Sequence, residues 1–429
     1  MRRFVTPVAS ALVSVALAAS AAHAGLTITT AKFGNLFHSA DAKAFDVTLG
    51  AGSVGFSGSL VTEVRDPYGR LVAQDQRPLS VPPNTSVTQP LAIPSALNGV
   101  FDVTARAYPP QPTSPPAWEA RTTIGVVPPP TTAGFDDRSA IGYYLLPDPS
   151  ELPLADEVAQ QLQDLGIKCV RLEHLQWPLD ARTTRPDTRD PSWLDTAEFE
   201  VWVDALRAHG VEVMGSLFGS ARWASTDPSN VTDAGLGPYW QLVAPLPGDW
   251  DLYVRTMAAR FAGRIRTWEV WNEPDSFLFY EPMLSAPNQR AVAGQRFAQV
   301  AQIASSALKS VDPTNKVVVN LVNSASTTFP SAFLPLAGPS LDVFGLHYSD
   351  TTEVATARTM LQNAGLAPRP FWNTEAYGRS LNPYRPGKDM MPVWFRNRAA
   401  GAARMLHFIY HIIYDFNDVQ ASGSSASIP

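Results

Sequence analysis

Two glutamates carry the chemistry open to this sequence. One stands in RTWEVWNEPDSF, Arg266–Phe277, a run that stays largely apolar until it delivers Asn272 and Glu273. Pro274 follows and has no N–H with which to continue a strand. The other stands in RPFWNTEAYGRS, where Glu375 follows a Trp-Asn-Thr lead-in. When two carboxylates approach closely, like charge raises one pKa, while hydrogen bonds and nearby cations hold the other low. A protonated carboxyl facing an ionised one is what cleavage of a glycosidic bond requires. One group gives its proton to the departing alkoxide, and the other attacks or stabilises the developing oxocarbenium ion. A single strand-end glutamate also serves to cap the next helix, so the weight rests on the pair and its shared Trp-Asn lead-in.

The elements that must position this pair read as an alternation. Eight strand candidates follow residue 134: AIGYYLL, KCVRLEHL, VEVMGSLF, TWEVWNEP, KVVVNLV, LDVFGLHY, PFWNTEAYG and IIYDF. Helical segments separate them. In LADEVAQQLQDLG, Leu154, Val158, Leu162 and Leu165 share one face. In DTAEFEVWVDALRAHG, Asp195 can cap the start and Gly210 the end, with Trp202 on the core side. RAAGAARMLHFIYH reads as the helix before the last strand. Strict strand–helix alternation predicts a parallel sheet covered by helices, and eight units suit a closed (β/α)8 TIM barrel. An open doubly wound sheet is the alternative, weakened by the lack of a Gly-rich phosphate loop after the first strand.

In such a barrel, catalytic groups sit at the C-terminal strand ends. Glu273 ends the fourth strand and Glu375 the seventh, 102 residues apart. Three strand–helix units would span roughly 94 residues, so both carboxylates fall at matching heights and face each other across the mouth. Glu269, four residues before Glu273, lies about 13 Å deeper at ~3.3 Å per residue. It is expected to be a paired interior charge, with Arg171 as a partner.

Residues 25–128 have a different texture: short alternating runs such as KAFDVTLG and GVFDVTARAY, broken by turns such as Asp66-Pro67-Tyr68-Gly69. They predict an all-β, Ig-like sandwich preceding the barrel. A Pro-rich linker at residues 129–133 separates it from a catalytic domain at 134–429, where only NDVQASGSSASIP follows the last strand candidate, so the barrel either ends unusually or is truncated after strand 8. Residues 1–24 have the grammar of a bacterial-type secretory signal, with two arginines, an apolar run and Ala22-His23-Ala24 at the cleavage point. A membrane anchor is the competing reading, but the apolar run is shorter than the ~20 residues needed to span. The expected location is therefore secreted or periplasmic, with no membrane partner after cleavage. The net charge of −6 gives no basic footprint for nucleic acid. The lone Cys169 excludes a disulfide framework and a thiolate metal site.

WEVWNEP and FWNTEAYG resemble the acid/base and nucleophile strands of the clan A retaining glycoside hydrolases, the "4/7" (β/α)8 barrels, with the family 39 glycosidases nearest. The resemblance covers roughly Ser139 to Phe416. It implies Glu273 as general acid/base, Glu375 as nucleophile, and Asn272 hydrogen-bonded to the sugar 2-hydroxyl. Arg171 resembles the clan's strand-2 arginine, which holds the nucleophile ionised, and His174 resembles a histidine near the sugar. His347 and Tyr348 are similar to the clan's His-x-Tyr region, although here the two are adjacent. The missing eighth helix departs from the pattern.

Sugars present apolar C–H faces that stack on aromatic rings, so Trp177, Trp223 and Tyr377 are candidate subsite residues. His407 and His411 lie four apart on the predicted last helix, but HFIYH lacks the glutamate of a zinc hydrolase, so no metal and no cofactor is expected. The expected partner is an oligo- or polysaccharide. Two rivals remain: a catalytically inactive carbohydrate-binding protein on a glycosidase fold, and a hydrolase that inverts configuration.

Overall fold

The computed structural model describes residues 24–30, 32, 35–93, 98–110, 115–127, 139–143, 152–177, 194–232, 238–276, 287–321, 328–347, 351–376 and 404–409. The chain divides into two compact units, one holding Met1–Pro129 and the other Pro130–Tyr414.

The first unit is built from β1 (Gly25–Thr29), β2 (Leu36–His38), β3 (Ala44–Gly50), β4 (Phe56–Arg65), β5 (Leu71–Val81), β6 (Ser86–Ala92), β7 (Gly99–Tyr108) and β8 (Trp118–Val127). β1, β3 and β6 form one sheet, and β2, β8, β7, β4 and β5, in that order, form another. Pairing is antiparallel except between β2 and β8, which run parallel. Alternation places one face of each strand inward: Phe45, Val47 and Leu49 from the smaller sheet join Leu60, Val64, Val103 and Ile124 from the larger in one apolar cluster. The predicted turn forms, with the Asp66 carboxylate accepting the Tyr68 and Arg70 backbone N–H groups, both at 2.9 Å.

The second unit is an α/β fold. Its strands are β9 (Ser139–Tyr143), β10 (Cys169–Gln176), β11 (Glu212–Phe218), β12 (Thr267–Val270), β13 (Lys316–Leu321), β14 (Val343–His347), β15 (Phe371–Ala376) and β16 (Arg404–Ile409). Each pairs in parallel with the next, and β16 pairs with β9, so the strands close on themselves. Burial on both faces explains their near-continuous apolar runs; every residue of β14 is buried. Among the described residues six α-helices lie between them: α1 (Ala155–Asp164), α2 (Ala197–Ala208), α3 (Pro247–Arg260), α4 (Pro287–Val311), α5 (Thr328–Ala337) and α6 (Thr351–Asn363). α2 buries Phe199, Trp202, Val203 and Leu206 along one stripe. At its start the Asp195 carboxylate accepts the Ala197 N–H at 3.1 Å, and beyond its end Gly210 takes φ 72°. The segments after β15 and β16 lie outside the described residues.

The eighth strand corrects the sequence reading. It is Arg404–Ile409, inside the stretch expected to be helical, and His407 lies on it rather than on a helix. The predicted strand Ile412–Phe416 and His411 lie outside the described residues. The physical reason is ambiguity of pattern: in RMLHFIYHIIYDF, apolar residues recur so densely that helical and buried-strand spacings both fit. Pairing with β9 decides between them. Cys169 is buried in the ring interior with Met214, Val318, Val343, Trp372 and Leu406, and behaves there as a small apolar side chain.

Candidate active site

The candidate residues gather at the C-terminal ends of the parallel strands, where the regular ladder fails in three places. Between β10 and β11 the register shifts between Leu172 and Leu175, so Glu173 and His174 together oppose the single residue Ser216 and β10 carries one residue extra. Between β14 and β15 it shifts after Leu346, leaving Thr374 extra just before Glu375. A further shift separates β15 from β16 between Asn373 and Ala376. Bulges re-aim side chains and are common beside active sites.

β12 ends differently. Its ladder continues through the Trp271 N–H, which donates to Leu217 O at 2.7 Å. The backbone then turns left-handed, with φ 67° at Trp271 and 46° at Glu273. Large side chains rarely adopt this region, at a cost on the order of 1–3 kcal/mol each. The Glu273 carbonyl accepts the Ser276 N–H at 3.0 Å and the Ser276 hydroxyl at 2.7 Å, closing the turn.

The turn brings Glu273 to Glu375. One carboxylate oxygen of each lies within 4.8 Å of the other and of a His347 ring nitrogen. His347 Nδ1 is 2.8 Å from Glu273 Oε1 and 3.3 Å from Glu375 Oε2, and its Nε2 is 3.1 Å from the Thr374 hydroxyl. Beneath them Arg171 distributes its guanidinium three ways. Nε donates to Glu269 Oε2 at 2.6 Å, Nη1 to Glu375 Oε2 at 3.3 Å, and Nη2 to Asn272 Oδ1 at 2.8 Å. Because Nη2 can only donate, the Asn272 amide is oriented with its NH2 turned away from Arg171. Glu269 is fully buried, as its depth in the strand predicts, and Arg171 is its partner.

This arrangement gives the two glutamates different electrostatics. Burial pushes the Glu273 carboxyl up to about 7, against a partial opposing pull from Arg171. Glu375 instead has the Arg171 guanidinium 3.3 Å from its Oε2, a contact that favours the ionised form. His347 is held well below its ordinary range by burial and by the Arg171 charge, so it meets the carboxylates as a neutral imidazole through hydrogen bonds. The three groups Glu273, His347 and Glu375 have ligand atoms close enough to share a cation. Their donor set is that of a proton-handling pair with an arginine beside it, and Arg171 opposes a metal ion at that point.

Arg171 and His347 have side chains 1% and 0% exposed and lie directly against the glutamate carboxylates. One sequence expectation is corrected. Trp177 is fully buried, stacked on Tyr253 at 4.7 Å between ring centres and edged by Trp223 at 5.4 Å, which makes it a core residue and not a sugar platform. Trp223, in a short 3-10 turn Arg222–Ala224, is half-buried. Asn272 stays partly accessible. The side chain of His174, and Tyr348 and Tyr377 altogether, lie outside the described residues. Asn320 was missed. It is buried in β13, its Oδ1 accepts the Glu273 N–H at 2.7 Å and its Nδ2 donates to Trp271 O at 3.4 Å. The visible signal was one amide in an otherwise aliphatic strand, KVVVNL.

Solved structures resemble this one. A family 39 glycoside hydrolase from the gut symbiont Bacteroides cellulosilyticus WH2 superposes with a TM-score of 0.58 at 11% identity, over 87% of this chain and 74% of that chain. A GH39 β-xylosidase from Caulobacter crescentus gives 0.47 at 20% identity, over 66% of this chain and 63% of that chain. The GH39 enzyme from Xanthomonas axonopodis pv. citri gives 0.47 at 20%, over 64% and 58%. No protein-family model and no curated protein matches the sequence. These three neighbours are family 39 glycoside hydrolases, and the first likeness shows the α/β fold that this chain shares with that structure. Among the described residues, no helix is long and apolar enough to cross a membrane.

Proposed function

We propose that this chain is a secreted glycoside hydrolase that cleaves O-glycosidic bonds with retention of configuration, on a (β/α)8 barrel preceded by an accessory Ig-like sandwich at residues 25–128. The observation that carries this reading is the close approach of Glu273 and Glu375, one oxygen of each within 4.8 Å of the other. Retaining enzymes place their carboxyl groups about 5–5.5 Å apart, whereas inverting ones need roughly 6.5–9.5 Å to admit water between them.

In the first step a Glu375 oxygen attacks the anomeric carbon while Glu273 gives its proton to the departing oxygen. The bond to the leaving group breaks and a glycosyl–Glu375 ester forms. In the second step Glu273, now a carboxylate, takes a proton from water as that water attacks the same carbon and releases Glu375. Arg171 keeps Glu375 ionised for attack, and Glu273 near 7 is poised to give and regain a proton at neutral pH. The Asn272 NH2, turned from Arg171, is placed to donate to the sugar 2-hydroxyl. Residues 1–24 are the export signal in this reading, and the substrate is an oligo- or polysaccharide.

The test is a panel of aryl xylosides and glucosides beside bacterial and plant polysaccharides, with proton NMR of the first anomer released. Retained configuration supports the mechanism. An inverted first product removes the double displacement, and silence across the panel favours a binding protein. A 2-deoxy-2-fluoro glycoside should leave its mass on the peptide that carries Glu375.

A further inference from the structure

The left-handed turn that presents Glu273 has a support that the two carboxylates do not supply. Asn320 is fully buried, and its neighbours along β13, Val319 and Leu321, are aliphatic. An amide in that position is retained only if its polar atoms are occupied. They are: Oδ1 takes the Glu273 N–H at 2.7 Å, and Nδ2 gives to Trp271 O at 3.4 Å. A backbone N–H can only donate and a carbonyl can only accept, so the amide has one orientation. Its two bonds fall on the peptide groups that bracket Asn272, at the two residues with positive φ. A side chain thus does here what a neighbouring strand would do for a regular ladder.

The next strand leaves room for it. Gly345 pairs with Asn320 in register, and a Cβ at Gly345 would lie 3.1 Å from the Asn320 Cβ and 3.2 Å from the Thr374 hydroxyl. Thr374 in turn meets His347 Nε2 at 3.1 Å, and His347 Nδ1 meets Glu273 Oε1 at 2.8 Å. Two polar side chains packed about one glycine therefore hold opposite ends of the same glutamate: its peptide N–H and its carboxyl.

We propose that Asn320 is a positioning residue for Glu273, its carboxamide clamping the two peptide groups around Asn272 so that the Glu273 carboxyl stays aimed across the mouth of the strand ring. The proposal rests on the reading of Glu273 as acid/base, and its test separates the two.

The experiment compares the full chain with N320A, N320D and G345A by two measurements. Amide hydrogen exchange across residues 268–276 reads the clamp without reference to activity. N320A should exchange there at least about tenfold faster, since a buried amide loses its acceptor. N320D, which keeps an acceptor for the Glu273 N–H, should exchange more slowly than N320A. The second measurement is the rate on an aryl glycoside series graded by leaving-group acidity. A misplaced acid should slow phenyl glycosides about 100-fold while dinitrophenyl glycosides, which leave without a proton, fall no more than about fivefold. G345A, which crowds the amide without removing it, should show the same skew in smaller measure and stands in where N320A does not fold. Unchanged exchange in N320A and N320D, or equal slowing of good and poor leaving groups, would overturn the proposal. If the unaltered protein hydrolyses no aryl glycoside, the enzymatic reading falls, while the exchange result still decides the clamp.

Discussion

The two units handle charge and strain in opposite ways. In the first, ion pairs sit at the surface: Arg106 bridges Glu63 at 3.0 Å and also bonds Glu119, with all three side chains partly exposed. Among its described residues the buried cation is Lys43, which reaches the carbonyl of Ser39, four residues away. In the second, Arg171 is buried with carboxylates 98 and 204 residues distant. Backbone strain divides likewise. The non-glycine residues with positive φ in the first unit are Asn35 and Asn84, a type that tolerates the left-handed region; in the second they are Trp271 and Glu273, which do not. The first unit, packed around its apolar cluster, shows no such ion pairs or turns among its described residues. Their concentration around two glutamates marks where the molecule gives up stability for placement.

The largest effect should come from the site itself. Glu375→Gln should lower turnover on any accepted substrate by about 10⁴-fold or more while the far-ultraviolet circular dichroism and melting profile stay near normal. Glu273→Ala should spare the first step for activated aryl glycosides, and added azide should restore turnover; no rescue would remove Glu273 from the acid/base role. Next, Arg171→Met strands the buried Glu269 and should cost about 3–5 kcal/mol in urea unfolding, whereas Arg106→Met, at a pair open to water, should cost no more than about 1 kcal/mol. Equal costs would erase the contrast between the units.

Acidity gives a smaller but signed test. The Glu273 carboxyl rises from 4.5 to about 7 on folding, so the folded state binds its proton more tightly. Its contribution to stability is whole below pH 4.5 and is lost as pH rises through about 7, a total on the order of 3 kcal/mol. Glu273→Gln should flatten that part of the stability–pH curve and be relatively more stable at pH 8. In the unaltered protein kcat/KM should fall above about pH 7, as the acid loses its proton. A flat profile across pH 6–8 would argue against the environment described for this group.

Much of this was legible in residues. Glu269 and Glu273 differ by four positions on one strand, and depth alone separated the buried pair from the turn glutamate. The alternation of strands and helices followed from apolar spacing, as in α2, whose cap and stop were both visible. What the sequence hid depends on pairing. β16 shares its composition with a helix, and only its pairing with β15 and β9 distinguishes it. The extra residue at Thr374 has no local signature, because a bulge is a property of two strands. Trp177 looks like any loop tryptophan until Tyr253 is stacked against it. Asn320 carried a signal, a lone amide among valines, but its target lies 47 residues earlier in the chain.

The pairing of Ser139 with Met405 has a bearing on how the molecule is made. Until Arg404–Ile409 has been synthesised, β9 and β15 each expose an unbonded edge, and seven strands wait for the last. Contacts of such long sequence separation form slowly, and free edges invite association with other chains. Shortened chains ending before Arg404 should therefore aggregate during expression more than the full chain does.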